Sequence, residues 1–596
     1  MRYPTLYAKQ RSQQSVDVFA GYNHNLRINE SEFYDMLNLT SDLAPVLAPR
    51  KARGIYVEYG DIQGMIAKDS LCYVDGRNLV INDYRVDMNL STSPKDCPKQ
   101  LISMGAYVII MPDKKYFNTA DFSDYGNIEA DISTASDVRF IPCMIDGTEY
   151  TAEYIQSEEP AGGSNMAMWI DTSAQPHTLK QYSSSTGMWA NVETTYVKIQ
   201  SAGIGKSFSQ YDGVKIEGLK GELVSAGTGN VLTDTSQLEA LEGNFVVYAK
   251  GDDYICVIGI LDSPVAISNQ ITVSRRMPAM DFVIESQNRL WGCRYGLNNE
   301  GEIVNELYCS KLGDFRNWNC FMGISTDSYI ASLGSDGPFI GAITYAGHPL
   351  FWKENYLHDV YGQIPANFQV QTTACRGVQK GSERSLAIAN EILYYKARHG
   401  LCSYDGSVPT DISAALGEER YCDAVAAAHG NKYYVSMKKA DGTGCVLMVL
   451  DTAKGLWHKE DDLRAKLFCS CRDELYCATE DGKILTMLGS GDAYERQVSW
   501  MAETGIIGAS LPGNKYLVKM NIRMLLEPES TVSIEAQYDS TGNWECLGSL
   551  VGMNLRSFTI PVRPRRCDHL RLRAQGKGKC MIFSITKTLS YGSDIS

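Results

Sequence analysis

Only 8 histidines occur in the 596 residues, and no two stand at metal-ligand spacing, which argues against a His-paired zinc centre. Proline is sparse, at 19, and charged residues make up 21%, so a largely disordered chain is excluded. Helical signals are scarce. The clearest covers residues 29–38, where Asn29 or Ser31 is placed to cap a short helix carrying Phe33, Met36 and Leu37. No apolar run approaches the roughly 18 residues of a membrane-spanning helix. Met1-Arg2-Tyr3-Pro4-Thr5 has no apolar core and no cleavage signal, so a soluble product made without a signal peptide is expected. The 17 cysteines are an odd number scattered inside apolar runs such as Leu71-Cys72-Tyr73-Val74, a pattern of reduced, buried thiols and not of a disulfide framework.

Tyrosine, in contrast, is abundant: 35 Tyr accompany 16 Phe and 8 Trp, ample material for β-rich cores. The net charge of -14 disfavours wrapping DNA by phosphate neutralisation. That charge is uneven. Residues 500–596 hold 12 Lys and Arg against 8 Asp and Glu, so the rest of the chain carries -18. The basic residues gather at Arg563, Arg565, Arg566, Arg571, Arg573, Lys577 and Lys579. They form either a solvated face or a docking patch for an acidic neighbouring subunit, and the five arginines are the candidate docking residues.

A repeat organises the chain. A polar or Gly turn is followed by a short aromatic-rich strand at Asp69–Val74, Gly105–Ile110, Asn288–Gly292, Gly347–Trp352, Asn390–Tyr395, Gly430–Val435 and Asp473–Cys477. The last four copies recur at roughly 40 residues, the size of a four-stranded propeller blade. Second short strands follow at Gly400–Gly406, Cys445–Asp451 and Gly482–Leu485. Seven copies predict an all-β fold with a β-propeller of about six to eight blades; unrelated antiparallel sheets are the alternative. The gap between the second and third copies predicts an inserted β-rich domain. From about residue 501 longer alternating strands, such as Thr531–Tyr538, predict a C-terminal β-sandwich. The expected division is 1–60, an N-terminal segment with a short helix leading into the first blade; 61–121, first blades; 122–280, insertion; 281–499, remaining blades; and 500–596, sandwich.

Residues for chemistry are hard to assemble. Cys469-Ser470-Cys471 with Cys477 lacks a fourth ligand at zinc spacing. Gly251-Asp252-Asp253-Tyr254 reads as a hairpin turn before a Ca²⁺ loop. Gly203-Ile204-Gly205-Lys206 does not open a helix, so a phosphate-binding loop is not expected. The turns Asp451–Trp457 and Asp539–Trp544 resemble sialidase aspartate boxes superficially, with the wrong Asp-Gly-Trp spacing; a structural role is expected, Asp bonding its own backbone and Trp packing a blade edge. No Ser-His-Asp set emerges. The chain is expected to have no catalytic role, no cofactor and no metal.

Three segments carry a family resemblance. Leu26–Leu39 with Pro45-Val46-Leu47-Ala48-Pro49-Arg50 resembles the start of phage tail proteins. Asn288–Cys293 and Leu307–Trp318, with its Ser-x-x-Gly-Asp-Phe-x-x-Trp continuation, resemble the blade motif of tail nozzle and DNA-stabilisation proteins of short-tailed phages. Pro561–Asp568 and Tyr591-Gly592-Ser593-Asp594 resemble the C-terminal domain of gut phage and prophage virion proteins. The resemblance implies a virion structural protein, assembled in the host cytoplasm and located in the tail. Its implied partners are further copies of itself in a ring, by family a hexamer; portal and adaptor ring proteins; tail fibre or other tail proteins; and phage DNA in transit without specific binding. Host surface contact belongs to the competing expectation, a tail-tip or receptor-binding module gripping cell-surface glycans. A propeller hydrolase is a third, weaker alternative.

Overall fold

The computed structural model describes residues 11–134, 137–298, 301–508, 513–562 and 565–591. Seven antiparallel sheets follow one another around a ring. Six are four-stranded meanders: blade 1 (62–87), blade 2 (100–127), blade 3 (282–332), blade 4 (339–374), blade 5 (387–411) and blade 6 (421–459). Blade 7 takes Ala465–Cys471, Glu474–Thr479 and Ile484–Thr486 from late in the chain. Its fourth strand is Gly54–Val57 from near the N-terminus, with Asp492–Ala493 paired outside it. The protein is therefore an all-β, seven-bladed propeller closed by strand exchange between the chain's two ends. The N-terminal segment does not simply lead into the first blade, as expected; it completes the last one.

Each of the seven sequence copies falls on the second strand of a blade, and the turn before it is the first hairpin of that blade. Paired positive φ angles at Gln287 and Asn288, and at Asn390 and Glu391, explain the polar turn residues: a two-residue hairpin matching strand twist needs both central residues left-handed. These second strands are almost continuously apolar because both of their faces are covered. Leu71 and Tyr73 of blade 1 pack on Leu467 and Cys469 of blade 7, while Cys72 and Val74 pack on Val108, Ile110 and Phe117 of blade 2. The same alternation places Trp291 against Phe351, Trp352 against Tyr395, and Tyr434 against Leu475 and Cys477. Interblade burial also accounts for cysteine use: Cys72, Cys293, Cys309, Cys402, Cys469 and Cys477 are buried free thiols between blades.

The closing strand is fixed by charge as well as by pairing. Arg53, just before it, donates to Glu460 at 2.8 Å and Asp461 at 2.6 Å, and Arg50 grips Glu495 through both terminal nitrogens at 2.7 and 2.9 Å. Gly54 packs so closely that a Cβ there would overlap the Ser490 carbonyl oxygen.

Between blades 2 and 3 the chain inserts two facing sheets and a smaller one. One sheet contains Ala130–Ser133, Thr272–Arg275, Gly213–Glu217 and Gly243–Val246; the other contains Val138–Cys143, Tyr196–Gln200 and Tyr254–Ile258. They share a core of Val138, Phe140, Ile199, Phe208, Ile216 and Val273. The C-terminal unit is built around one seven-stranded sheet. Its 24-residue strand Lys515–Tyr538 pairs with Cys580–Tyr591 along its first half and with Leu570–Lys577 along its second. Leu517, Ile522 and Met524 of one half and Val532, Ile534 and Tyr538 of the other join a single core that extends into blades 5 and 6.

The helix expected over 29–38 is not formed. Phe33–Leu37 is a strand paired with Ser499–Thr504 at the edge of the C-terminal sheet. The capping signals act in a turn instead: Glu32 accepts from the Asn29 N–H at 2.7 Å, and Phe33 stacks on Phe19 at 5.7 Å. Tertiary burial of Phe33 and Met36 outweighs local helix preference.

Candidate functional site

The first strand of each blade faces the propeller axis. In blade 5 this strand is short, Ala387–Ala389, and the 3-10 turn Glu383–Ser385 takes its place. The result is an axial pocket of about 490 Å³. Its wall is apolar where strands contribute Met65, Leu101, Phe282, Val425, Leu467 and Phe468. Lys95, Asp96, Lys99, Gln100, Asp281, Glu383 and Arg384 supply polarity, with cations and carboxylates in balance.

Most of that polarity is satisfied internally. Gln100 exchanges two hydrogen bonds with the Val283 backbone, at 2.6 and 3.0 Å, tying blade 2 to blade 3. Lys99 is ion-paired with Asp113, and Asp281 with Arg294 at 2.8 Å. Arg384 differs. Its guanidinium donates to the Pro98 carbonyl at 3.2 Å, and burial, only partly offset by neighbouring Glu383, lowers its pKa from the ordinary value. Nothing in the sequence marks Arg384 except the interruption that shortens the first strand of blade 5.

The candidate docking arginines do not form an open cationic patch. Arg563 lies outside the described residues. Arg565 is ion-paired with Glu545 and lies over the Tyr538 ring at 5.2 Å. Arg571 pairs with Glu503 at 3.2 Å and stacks on Tyr34 at 4.6 Å; Arg573 bonds Glu535 at 2.8 Å and stacks on Trp544 at 4.2 Å. Alternation along Leu570–Lys577 puts Arg571 and Arg573 on the outer face, opposite Leu570, Leu572 and Ala574 in the core. Arg566 is exposed. Arg573→Ala is expected to cost about 1 kcal/mol, from an ion pair and a ring contact together, and Arg566→Ala nothing. Urea unfolding of the two variants checks the contrast.

The other sequence candidates are accounted for by packing. Cys469 faces blade 1 and Cys477 faces blade 6, so these thiols point to opposite sides of their sheet; burial pushes both up to about 12. Asp253 accepts from the Gly203 N–H at 2.7 Å, so the Asp252-Asp253 turn clamps the Gly203-Gly205 loop. In the Asp451 turn, Asp451 accepts from the Lys454 N–H at 3.1 Å, Gly455 has φ +67°, and the Trp457 indole donates to Ile412 at 3.1 Å. Among the described residues no cluster of three or more His, Cys, Asp or Glu is placed to hold a metal ion.

The Ser-x-x-Gly-Asp-Phe-x-x-Trp segment has a definite mechanical part. Phe315 and Trp318 are buried between blades 2 and 3. Asn317 donates to Asp212 at 3.0 Å and accepts from the Gly213 N–H at 2.9 Å, which docks the inserted sheets on blade 3. A side chain at Gly213 would overlap the Asn319 carbonyl.

No family model matches the chain, and no curated protein matches it either. Solved structures do. Apo AztD from Citrobacter koseri aligns with a TM-score of 0.26 and 9% identity, over 72% of this chain and 88% of its own. BamB from Moraxella catarrhalis aligns with a TM-score of 0.21 and 10% identity, over 68% and 95%. An exo-β-1,3-galactanase from Phanerochaete chrysosporium, bound to galactose, aligns with a TM-score of 0.21 and 7% identity, over 50% and 94%. The expectation that the chain is not an enzyme is corrected here: glycoside hydrolases stand among the structures it matches. At these TM-scores the likeness assigns neither activity nor substrate.

Proposed function

We propose that the protein is a structural component of a bacteriophage tail, a nozzle or tail-tube ring subunit below the portal–adaptor complex that acts as conduit and gate for the genome. The observation that carries this reading is the charge of the insertion. Residues 128–275 hold 19 Asp and Glu against 8 Lys and Arg, a net of -11 out of the chain's -14. A lumen lined by such a surface repels phosphates, so DNA slides without sticking. The propeller gives a rigid frame on which the insertion is fixed. The C-terminal sheet offers an edge: Glu545–Ile560 pairs only with Lys515–Tyr538 among the described residues, and its Val551 and Leu555 are more than half exposed. An open edge of this kind suits strand or side-chain contact with a neighbouring subunit in a closed ring of about six copies.

A cryo-EM reconstruction of the virion tail tests the proposal. The expected result is a ring beneath the portal adaptor with residues 128–275 toward the channel. A position at the distal periphery overturns it. That outcome favours glycan recognition, for which the small inserted sheet (154–191) supplies a partly exposed Trp189 packed against Tyr154, Trp169 and Tyr182.

A further inference from the structure

Among the described residues five lysines are buried, and four of them are well supplied with partners. Lys99 pairs with Asp113, and Lys587 with Glu30 at 2.8 Å. Lys353 donates to Asn305 and Ser335, both at 2.9 Å, and lies between the Tyr295 and Phe339 rings. Lys515 donates to the carbonyls of Gly508 and Asp568.

Lys396 is the exception. It is 2% exposed at the end of the second strand of blade 5, and its Nζ donates to one peptide oxygen, that of Ala397, at 2.5 Å. An ammonium has three donors, and a buried cation without a counter-charge is costly. Burial drives its pKa down to about 8, as it does for Lys353; the single hydrogen-bond partner is what sets Lys396 apart. Lys396 lines a small pocket of about 30 Å³ together with Arg398, His399, Ser413, Glu419 and Arg420. That volume is enough for one or two water-sized groups, so a tetrahedral anion fits with one or two oxygens inside and the rest at the solvent-facing mouth. Arg398 and Arg420 are exposed side chains, one in the turn after Lys396 and one at the entry to blade 6. The carboxylate in the wall is already engaged: Glu419 accepts from the Tyr421 hydroxyl at 2.5 Å and from Lys439 at 2.9 Å.

We propose that this pocket, where blade 5 meets blade 6, binds a tetrahedral oxyanion, phosphate or sulfate, free or as a monoester, with Lys396 as its buried anchor and Arg398 and Arg420 closing over it. The anion supplies the counter-charge that the fold withholds from Lys396. It enters by exchange with solvent, and no covalent step is involved.

The test is titration of the full chain with inorganic phosphate, sulfate and glycerol 3-phosphate against chloride at constant ionic strength, read by calorimetry and by thermal unfolding. Saturable binding and a raised melting temperature are expected with the oxyanions and not with chloride. Preference for glycerol 3-phosphate over inorganic phosphate identifies a monoester ligand; the reverse identifies the free ion. Lys396→Met is expected to abolish the response while raising the anion-free melting temperature, because a desolvated charge is removed. Arg420→Gln, on the surface and harmless to folding, is expected to weaken binding about tenfold or more. Equal stabilisation by chloride, or an unchanged oxyanion affinity in Arg420→Gln and Lys396→Met, overturns the proposal.

Discussion

Arg53→Ala is expected to destabilise the propeller by about 3–5 kcal/mol, the range for removing one partner from a buried ion network. Arg53 is 4% exposed, and both of its carboxylate partners belong to the segment linking blade 6 to blade 7. Its removal leaves Glu460, 6% exposed, without its closest cation; Arg50 remains at 3.5 Å. The loss should appear first in the closing strand Gly54–Val57, so hydrogen exchange there should accelerate more than in blades 3 and 4. The isosteric combination Glu460→Gln with Asp461→Asn in the Arg53→Leu background should cost less than the sum of its parts, since no unpaired charge is stranded.

The same network sets an acid limit. Burial alone would raise Asp461 and Glu495, but Arg53 and Arg50 outweigh it and hold both carboxyls below their ordinary values. A carboxyl depressed in the folded state contributes stability that is complete above its unfolded pKa, about 4, and is lost as pH falls through the folded value. Denaturant midpoints should therefore fall below about pH 4 in the wild type. Arg53→Ala should show a shallower fall, because its carboxyls are less depressed at the outset.

The propeller blades, expected as about six to eight, were legible because each blade's second strand is covered on both faces and so must be apolar along its length, and because the hairpin before it needs residues tolerant of positive φ. Asn288, Asn390 and Gly347 announce those turns in the sequence. What was not legible depends on contacts between distant residues. Gly54–Val57 reads as an ordinary strand, and nothing local shows that its partner is Ile484–Thr486. Arg571 and Arg573 read as a basic cluster because Glu503 and Glu535, which neutralise them, lie on other strands of the sheet. The helix signal at 29–38 was a true local preference overruled by burial of Phe33 and Met36. The axial pocket was hidden for a similar reason: its wall draws one or a few residues from each of the seven blades, and Arg384 sits where the repeat is interrupted.

Asp212→Ala is expected to release the insertion from blade 3, at a local cost of about 3–5 kcal/mol. Asp212, 2% exposed, is ion-paired with Arg275, 6% exposed, and also accepts from Asn317 and from the Ser209 N–H at 2.9 Å. Arg275 in turn donates to the Ile128 carbonyl at 3.2 Å. One node therefore holds the residue where the chain enters the insertion, the residue where it leaves, and the blade 3 segment that receives it. Alanine at 212 strands a buried guanidinium, and the cheapest relief is to open the junction to water. Hydrogen exchange should rise at 128–133, 213–217 and 317–320 and stay unchanged in blades 5 to 7. On the proposed reading of the insertion as a gate, a fixed hinge is needed, and phage particles carrying Asp212→Ala should leak genome although the ring still forms. Uniform exchange changes across all blades would instead show that the node supports the whole propeller and not the hinge alone.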